Sequence, residues 1–307
     1  MKAKRDFLSV LDFSREEILE SFRIASEMKK DPRSYADALK GKSLAMIFEK
    51  PSLRTRVTFD VGIHQLGGYS VYLSPAEINL GKRESIHDVA KNLERMVDAV
   101  MIRTFAHQIV VDMAYHASVP VINGLTDYSH PCQAMADYLT VLEFKKTLQG
   151  LKLCFVGDGN NVAHSLMFAG ARLGVNVTVA CPESHKPDAR ALQRAREEGK
   201  ATGAAITVTH DPAHGVQGAD VVYTDVWASM GQESEAEARR RIFRPFQVNA
   251  SLMARAKKDA LFMHCLPAHR GDEVTDEVID SSNSVVFQEA ENRLHAQKAI
   301  MLQLMKA

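Results

Sequence analysis

Short apolar runs alternate with stretches of helical periodicity along almost the whole chain, and this alternation restricts the fold more than any other feature. Strands are expected at 43–48, 69–73, 99–102, 119–122, 151–156, 175–180, 205–209, 220–223, 261–264 and 284–287. Helices are expected at 54–66, 85–95, 131–145, 161–173 and 186–198. Parallel strands need a crossover to join them, and crossover helices cover both faces of the sheet, so repeated strand–helix alternation predicts buried parallel sheets. Two more helices frame the series. Ser14-Arg15-Glu16-Glu17 fits a capping box that opens a helix running to about Lys30, near Pro32. A last helix is expected over 289–305.

An internal echo divides the chain. Leu39-Lys40-Gly41-Lys42-Ser43-Leu44 opens one strand and Leu148-Gln149-Gly150-Leu151-Lys152-Leu153 opens another. Each leads through an apolar strand into a loop that enters a helix. With 307 residues, about two domains are expected. The reading is α/β: two doubly wound parallel-sheet domains of similar plan, 1–148 and 149–288, joined by interdomain helices. Helix 131–145 bridges them, and residues 289–307 form a C-terminal helix that packs back on the first domain. No low-complexity linker separates the two, which predicts close packing around a cleft.

Charge excludes several classes of partner. Lys plus Arg and Asp plus Glu both count 38, for a formal net charge of zero. No bulk attraction to nucleic acid or to an anionic membrane follows, so any anion site must be local. The four cysteines, Cys132, Cys154, Cys181 and Cys265, form no C-x-x-C pair, and neither a metal nor another cofactor is expected. Met1-Lys2-Ala3-Lys4-Arg5-Asp6 is charged and leads into no apolar signal core, and the apolar runs are too short to span a bilayer. A cytoplasmic location with reduced thiols is expected.

Six segments carry the chemistry. In Glu49-Lys50-Pro51-Ser52-Leu53-Arg54-Thr55-Arg56 a strand ends and a helix begins with Ser52 as N-cap. Helix-start N–H groups and the helix dipole attract anions, and Arg54 adds a fork matched to phosphate oxygens. Arg103 stands at a strand's C-terminal end, where ligands gather in open α/β sheets. In His130-Pro131-Cys132-Gln133, Pro131 suits the first helical position, and His130 and Gln133 lie one turn apart. Gly157-Asp158-Gly159-Asn160-Asn161-Val162 imitates a dinucleotide fingerprint after a strand, with Glu183 near the place of a ribose-binding acid. Val162 occupies the third small-residue position, which makes a NAD-dependent oxidoreductase the weaker alternative. Asp225 in Asp225-Val226-Trp227-Ala228-Ser229-Met230-Gly231 can pair with an ammonium group. In His264-Cys265-Leu266-Pro267, backbone carbonyls can accept from an amide, while Cys265 at the end of an apolar strand is more often a small core residue than a nucleophile.

Together these segments resemble the aspartate/ornithine carbamoyltransferase family over the length of the chain. S-x-R-T-R and H-P-x-Q resemble the family's carbamoyl-phosphate half, which assigns that substrate to the first domain. D-x-x-x-S-M-G and H-C-L-P are similar to its ornithine branch, which assigns ornithine to the second. The resemblance implies a direct transfer of the carbamoyl group from carbamoyl phosphate to the side-chain amine of L-ornithine, giving citrulline and phosphate. It implies Ser52, Leu53 through its N–H, Arg54, Thr55, Arg103, His130, Gln133, Arg293 and the carbonyls of Cys265 and Leu266 for carbamoyl phosphate. The resemblance implies Arg54, Arg103, His130 and Cys265 as the catalytic set, and Asn161, Asp225, Ser229 and Met230 as the residues that grip ornithine. It also implies a homotrimer or a multiple of trimers. Two positions depart from the family pattern. Leu53 stands where many members have Thr. Asn79 stands where some have a glutamine that reaches a neighbouring subunit, a contact that Lys82 or Arg83 can supply instead. The rival acceptors within the family are putrescine and N-acetylornithine.

Overall fold

The computed structural model describes residues 4–228, 231 and 233–306. In chain order the first part of the protein comprises α1 (Arg15–Lys30), β1 (Ser43–Phe48), α2 (Leu53–Gln65), β2 (Tyr69–Leu73), α3 (Pro75–Ile78), α4 (Ile86–Leu93), β3 (Ala99–Arg103), α5 (His107–His116), β4 (Val121–Leu125) and α6 (Pro131–Lys145). There follow β5 (Lys152–Val156), α7 (Asn161–Leu173), β6 (Asn176–Ala180), α8 (Ala189–Gly199), β7 (Ile206–Thr209), α9 (Pro212–Val216), β8 (Val221–Thr224), α10 (Ala236–Phe243), α11 (Ala250–Met253), β9 (Leu261–His264), α12 (Asp276–Ile279) and α13 (Val286–Met305). The chain divides into two compact units. One takes the residues up to Ala136 and those from Glu291 on; the other takes Asp137–Ala290. Among the described residues, no helix is long and apolar enough to cross a membrane.

The first unit is built on a four-stranded sheet in the order β2-β1-β3-β4, with every pairing parallel. Its central strands β1 and β3 are buried along their whole length, as a sheet covered on both faces requires. The chain leaves β1 toward β2 on one side and returns to β3 on the other. The C-terminal ends of β1 and β3 therefore flank a switch point, where loops diverge and leave a crevice. The pairing of Phe48 with Arg103 fixes which residues face that crevice. Ser52 caps α2 there, its hydroxyl accepting from the Thr55 N–H at 3.2 Å. The last part of α13 belongs to the same unit: Lys298 Nζ donates to Gln65 Oε1 at 2.9 Å and Gln303 Nε2 to Ser21 Oγ at 2.7 Å.

The second unit repeats the plan with five parallel strands in the order β7-β6-β5-β8-β9. Its switch point lies between β5 and β8, so the turn Gly157–Asn161 and Asp225 emerge side by side. Asn160 caps α7 by accepting from the N–H groups of Val162 (3.0 Å) and Ala163 (3.2 Å). The capping box expected at Ser14 and Glu17 is also present.

One expected strand is absent. Residues 284–287 make only an isolated bridge from Ser284 to Phe262, and α13 begins at Val286. An apolar run of three residues, Val285–Phe287, fits either a short strand or a helix start. Here the Glu289 N–H bonds back to the Val285 carbonyl, so the helix takes the run. The strand expected over 119–122 begins two residues later, at Val121–Leu125, and α5 is the helical stretch that strand–helix alternation places between β3 and β4.

Candidate active site

In the first unit, Thr55 is the hub of a buried polar cluster. Its hydroxyl accepts from Arg293 Nη2 at 3.1 Å and from Arg103 Nη1 at 3.4 Å. Arg293 Nη1 donates to Gln133 Oε1 at 2.5 Å, and its Nε to Gln297 Oε1 at 3.0 Å. Gln297 Nε2 donates to Thr58 Oγ1 at 2.9 Å, and the Thr58 hydroxyl donates to the Arg54 carbonyl at 2.6 Å. Thr58 and Gln297 were not among the expected site residues. The only sequence signal for Gln297 is its place one helical turn beyond Arg293, which puts both on one face of α13.

Arg103 and Arg293 are 4% and 2% exposed, and His130 is 5% exposed. Burial, and then the guanidinium groups of Arg293, Arg103 and Arg54, hold the His130 imidazole well below its usual range. At neutral pH His130 is therefore an uncharged ring with one N–H to donate. Three guanidinium groups gathered at one helix N-terminus repel one another, and a multiply charged anion is the ligand that turns this repulsion into attraction. The sequence-derived set Ser52, Arg54, Thr55, Arg103, His130, Gln133 and Arg293 is thus brought together. Leu53 is placed differently from its neighbours: its side chain is 73% exposed, so only its backbone N–H can serve the site. Beside the cluster, Lys50 pairs with Asp127 and lies 4.3 Å from the Phe105 ring centroid. Asn79 ends α3 in a left-handed conformation with φ 40°, and Arg83 Nη1 donates to the Glu77 carbonyl at 2.9 Å.

In the second unit the strand tips carry a different chemistry. Asp225, 7% exposed, accepts from Asn160 Nδ2 at 2.8 Å, from the Val226 N–H at 2.8 Å and from the Cys265 thiol at 3.1 Å. Asn160 thus caps α7 and orients Asp225 at once, a double role the sequence motif did not reveal. Asn161 opens α7 beside it. Ser229 and Met230 lie outside the described residues. Burial, and then the Asp225 carboxylate, push the Cys265 thiol well above its usual range. It is a protonated donor at neutral pH, which argues against a thiolate nucleophile.

The turn after β9 is held from within. His264 Nδ1 accepts the Leu266 N–H at 2.8 Å, so its proton sits on Nε2, which donates to Glu273 Oε1 at 3.1 Å. Leu266 adopts φ 56°, in the left-handed region, so the extended strand conformation ends there. Asp225, His264 and Cys265 offer ligand atoms within 4.8 Å of one another, but both ring nitrogens and the thiol proton are already engaged.

The turn Gly157–Val162 does not have the environment of a dinucleotide site. A Cβ on Gly159 would meet Pro187 N at 2.2 Å and the Lys186 carbonyl carbon at 2.5 Å. The bare glycine admits the 186–187 segment of the chain itself, in the place where a pyrophosphate approaches in a dinucleotide fold.

Residues 5–143 match the carbamoyl-P binding domain of the aspartate/ornithine carbamoyltransferases, and residues 149–304 match their Asp/Orn binding domain. With both halves accounted for in order, the chain belongs to the aspartate/ornithine carbamoyltransferase family. An ornithine carbamoyltransferase of Thermococcus kodakarensis is 58% identical to it over 99% of this chain and 97% of that protein. An anabolic ornithine carbamoyltransferase of Pyrococcus furiosus is 55% identical over 99% of this chain and 97% of that one. The solved structure of ornithine carbamoyltransferase from Pyrococcus furiosus fits with a TM-score of 0.95 at 54% identity, covering 99% of this chain and 97% of that chain.

Proposed function

We propose that the protein transfers the carbamoyl group of carbamoyl phosphate to the side-chain amine of L-ornithine, forming L-citrulline and phosphate in arginine metabolism. The observation that carries this reading is the first unit's cluster, in which Arg103 and Arg293 share the Thr55 hydroxyl beside a neutral His130 at the start of α2. The phosphate takes the α2 N-terminus through Ser52, the Leu53 N–H, Arg54 and Thr55, with Arg103 reaching both phosphate and carbonyl oxygen. His130 donates its N–H to the carbonyl oxygen, and Gln133 and Arg293 hold the carbamoyl group. In the second unit, Asp225 and Asn161, with Ser229 and Met230, take the α-amino and α-carboxylate ends of ornithine. The carbonyls of Cys265 and Leu266 accept from the carbamoyl NH₂.

The neutral amine attacks the carbamoyl carbon, the bond from that carbon to the phosphate oxygen breaks, and the departing phosphate takes the amine proton. The reaction needs neither a metal nor another cofactor. Arg54, Arg103 and His130 stabilise the charge on the carbonyl oxygen, while the Cys265 thiol stays protonated. The homologues' names favour ornithine over putrescine or N-acetylornithine, and Asp225 suits an acceptor with a free α-ammonium.

An assay for citrulline and phosphate tests this reading, with putrescine and N-acetylornithine as rival acceptors. A Lys-like amine titrates near ~10.4, so its neutral fraction grows about tenfold per pH unit below that. The expected result is citrulline formation whose kcat/KM for ornithine climbs steeply between about pH 7 and 9. Faster turnover of either rival acceptor refutes the ornithine assignment, and a flat profile refutes attack by a pre-formed neutral amine.

The location proposed is the cytoplasm and the assembly a homotrimer or a multiple of it. Leu53, Val57 and Val61 are 73%, 48% and 38% exposed at four-residue spacing on α2. Tyr69 and Val71 on the edge strand β2 are 55% and 41% exposed. Apolar stripes of this kind favour burial against another chain. Val57→Glu is expected to lower the sedimenting mass toward that of one chain, and an unchanged assembly would remove α2 from the interface.

A further inference from the structure

Two acidic side chains of the second unit are wholly buried and have no part in the proposed chemistry. Asp137 lies on α6 and Glu289 on α13, and both are 0% exposed. Glu289 Oε1 accepts from the Tyr223 hydroxyl at 3.0 Å, and Glu289 Oε2 accepts from the His264 N–H at 3.0 Å. One carboxyl group therefore spans the neighbouring strands β8 and β9 close to their tips, where Thr224 pairs with His264. Tyr223 precedes Asp225 by two residues and His264 precedes Cys265 by one. The spacing that Glu289 imposes is the spacing between Asp225 and the Cys265–Leu266 turn.

Asp137 hydrogen-bonds the Glu289 side chain. Two carboxyl groups bond to each other only when one of them carries a proton. Two ionised carboxylates in a buried site would repel strongly. Burial, then the charge of Asp137 and its hydrogen bond, raise Glu289 well above the usual carboxyl range. The other titratable groups facing the pair are Tyr223, Asp225 and Cys265. Burial first, then Asp137 and Glu289, push the Tyr223 phenol up, and both carboxyls add to the rise at Cys265. The pair thus keeps its proton, as do the Tyr223 phenol and the Cys265 thiol.

We propose that Asp137 and Glu289 form a shared-proton clamp in which Glu289 is a positioning residue, holding Asp225 and the Cys265–Leu266 turn in register for the acceptor amino acid. The proposal rests on the assignment of Asp225 to the acceptor's ammonium, and its test separates the two ideas.

Two readouts are compared in the whole enzyme: KM for ornithine against that for carbamoyl phosphate, and the rate at which iodoacetamide alkylates Cys265. The variants are Glu289→Gln, Glu289→Leu and Tyr223→Phe. An amide at 289 still accepts from the His264 N–H, and its NH₂ can donate to the Tyr223 hydroxyl oxygen and to Asp137, so both tips stay joined and Glu289→Gln is expected to match the parent within about 1.5-fold in both readouts. Glu289→Leu keeps volume but frees the tips, so Cys265 loses its tie to Asp225. Its alkylation is then expected to accelerate about tenfold and the ornithine KM to rise about tenfold, with carbamoyl phosphate affinity unchanged. Tyr223→Phe removes one hydroxyl from one tip and is expected to move both readouts the same way by about threefold. It serves as the test if Glu289→Leu does not fold. A loss of thermal stability in these variants with both readouts unchanged overturns the clamp, because that is the behaviour of a purely structural acid pair. If the parent protein makes no citrulline while the alkylation rates follow this order, the clamp stands and the assigned reaction falls.

Discussion

Arg103→Met is expected to lower kcat by about 10²–10³, the loss found when one preorganised donor to a developing oxyanion is removed, or on the order of 3–4 kcal/mol of transition-state stabilisation. The side chain is 4% exposed at the tip of β3, and it reaches the Thr55 hydroxyl that Arg293 also holds. Methionine fills much of the same volume without a charge, so the fold has no large cavity to absorb. Removing one of three mutually repelling guanidinium groups is expected to leave the melting temperature of the ligand-free protein unchanged or raised. Steady-state kinetics together with a melting curve check both halves of this expectation. A variant that retains activity within a factor of ten removes Arg103 from the transition state. One that melts far earlier shows that the arginine is structural.

Asp225→Asn should act on the other substrate. The carboxylate is tied by Asn160 and by the Cys265 thiol, which leaves its charge in a fixed place. Taking away one partner of a buried, hydrogen-bonded charge pair costs about 2–5 kcal/mol. The ornithine KM is therefore expected to rise on the order of a hundredfold, with carbamoyl phosphate binding unaffected. The same substitution removes the charge next to Cys265, which is the largest influence on that thiol after burial. Its pKa falls and its alkylation quickens. Titration of the variant with each substrate separately reads the first effect, and an unchanged ornithine KM would remove Asp225 from the acceptor site.

Much of this arrangement was readable along the chain, because the signals are local. Nine of the ten expected strands are present, three of them with both ends as expected and six with a boundary moved by one to three residues, since buried parallel strands announce themselves as short apolar runs between turns. Ser52 as N-cap of α2 and Asn161 at the opening of α7 follow from turn chemistry acting over three or four residues. The strand expected at 284–287 failed for the same reason that others succeeded: a brief apolar run carries no period, and a helix start can own it. Gly159 shows another limit. The spacing of its motif imitates a dinucleotide turn, and only packing reveals that Pro187 fills the space.

What the residues alone established is the class of fold, the parallel strands, the capped turns and the types of side chain available to an anion and to an ammonium group. Periodicity and capping act between neighbours in the chain, so they survive without a partner. The convergence itself belongs to the tertiary structure. Arg293 meets Gln133 across 160 positions and Thr55 across 238, and no local pattern links residues that far apart. Their meeting follows from sheet order and from the burial of α13, as does the exposure of Leu53. Glu289 joins β8 to β9 by the same means. Burial against distant elements decides which polar groups face one another, and it acts only once the chain has folded.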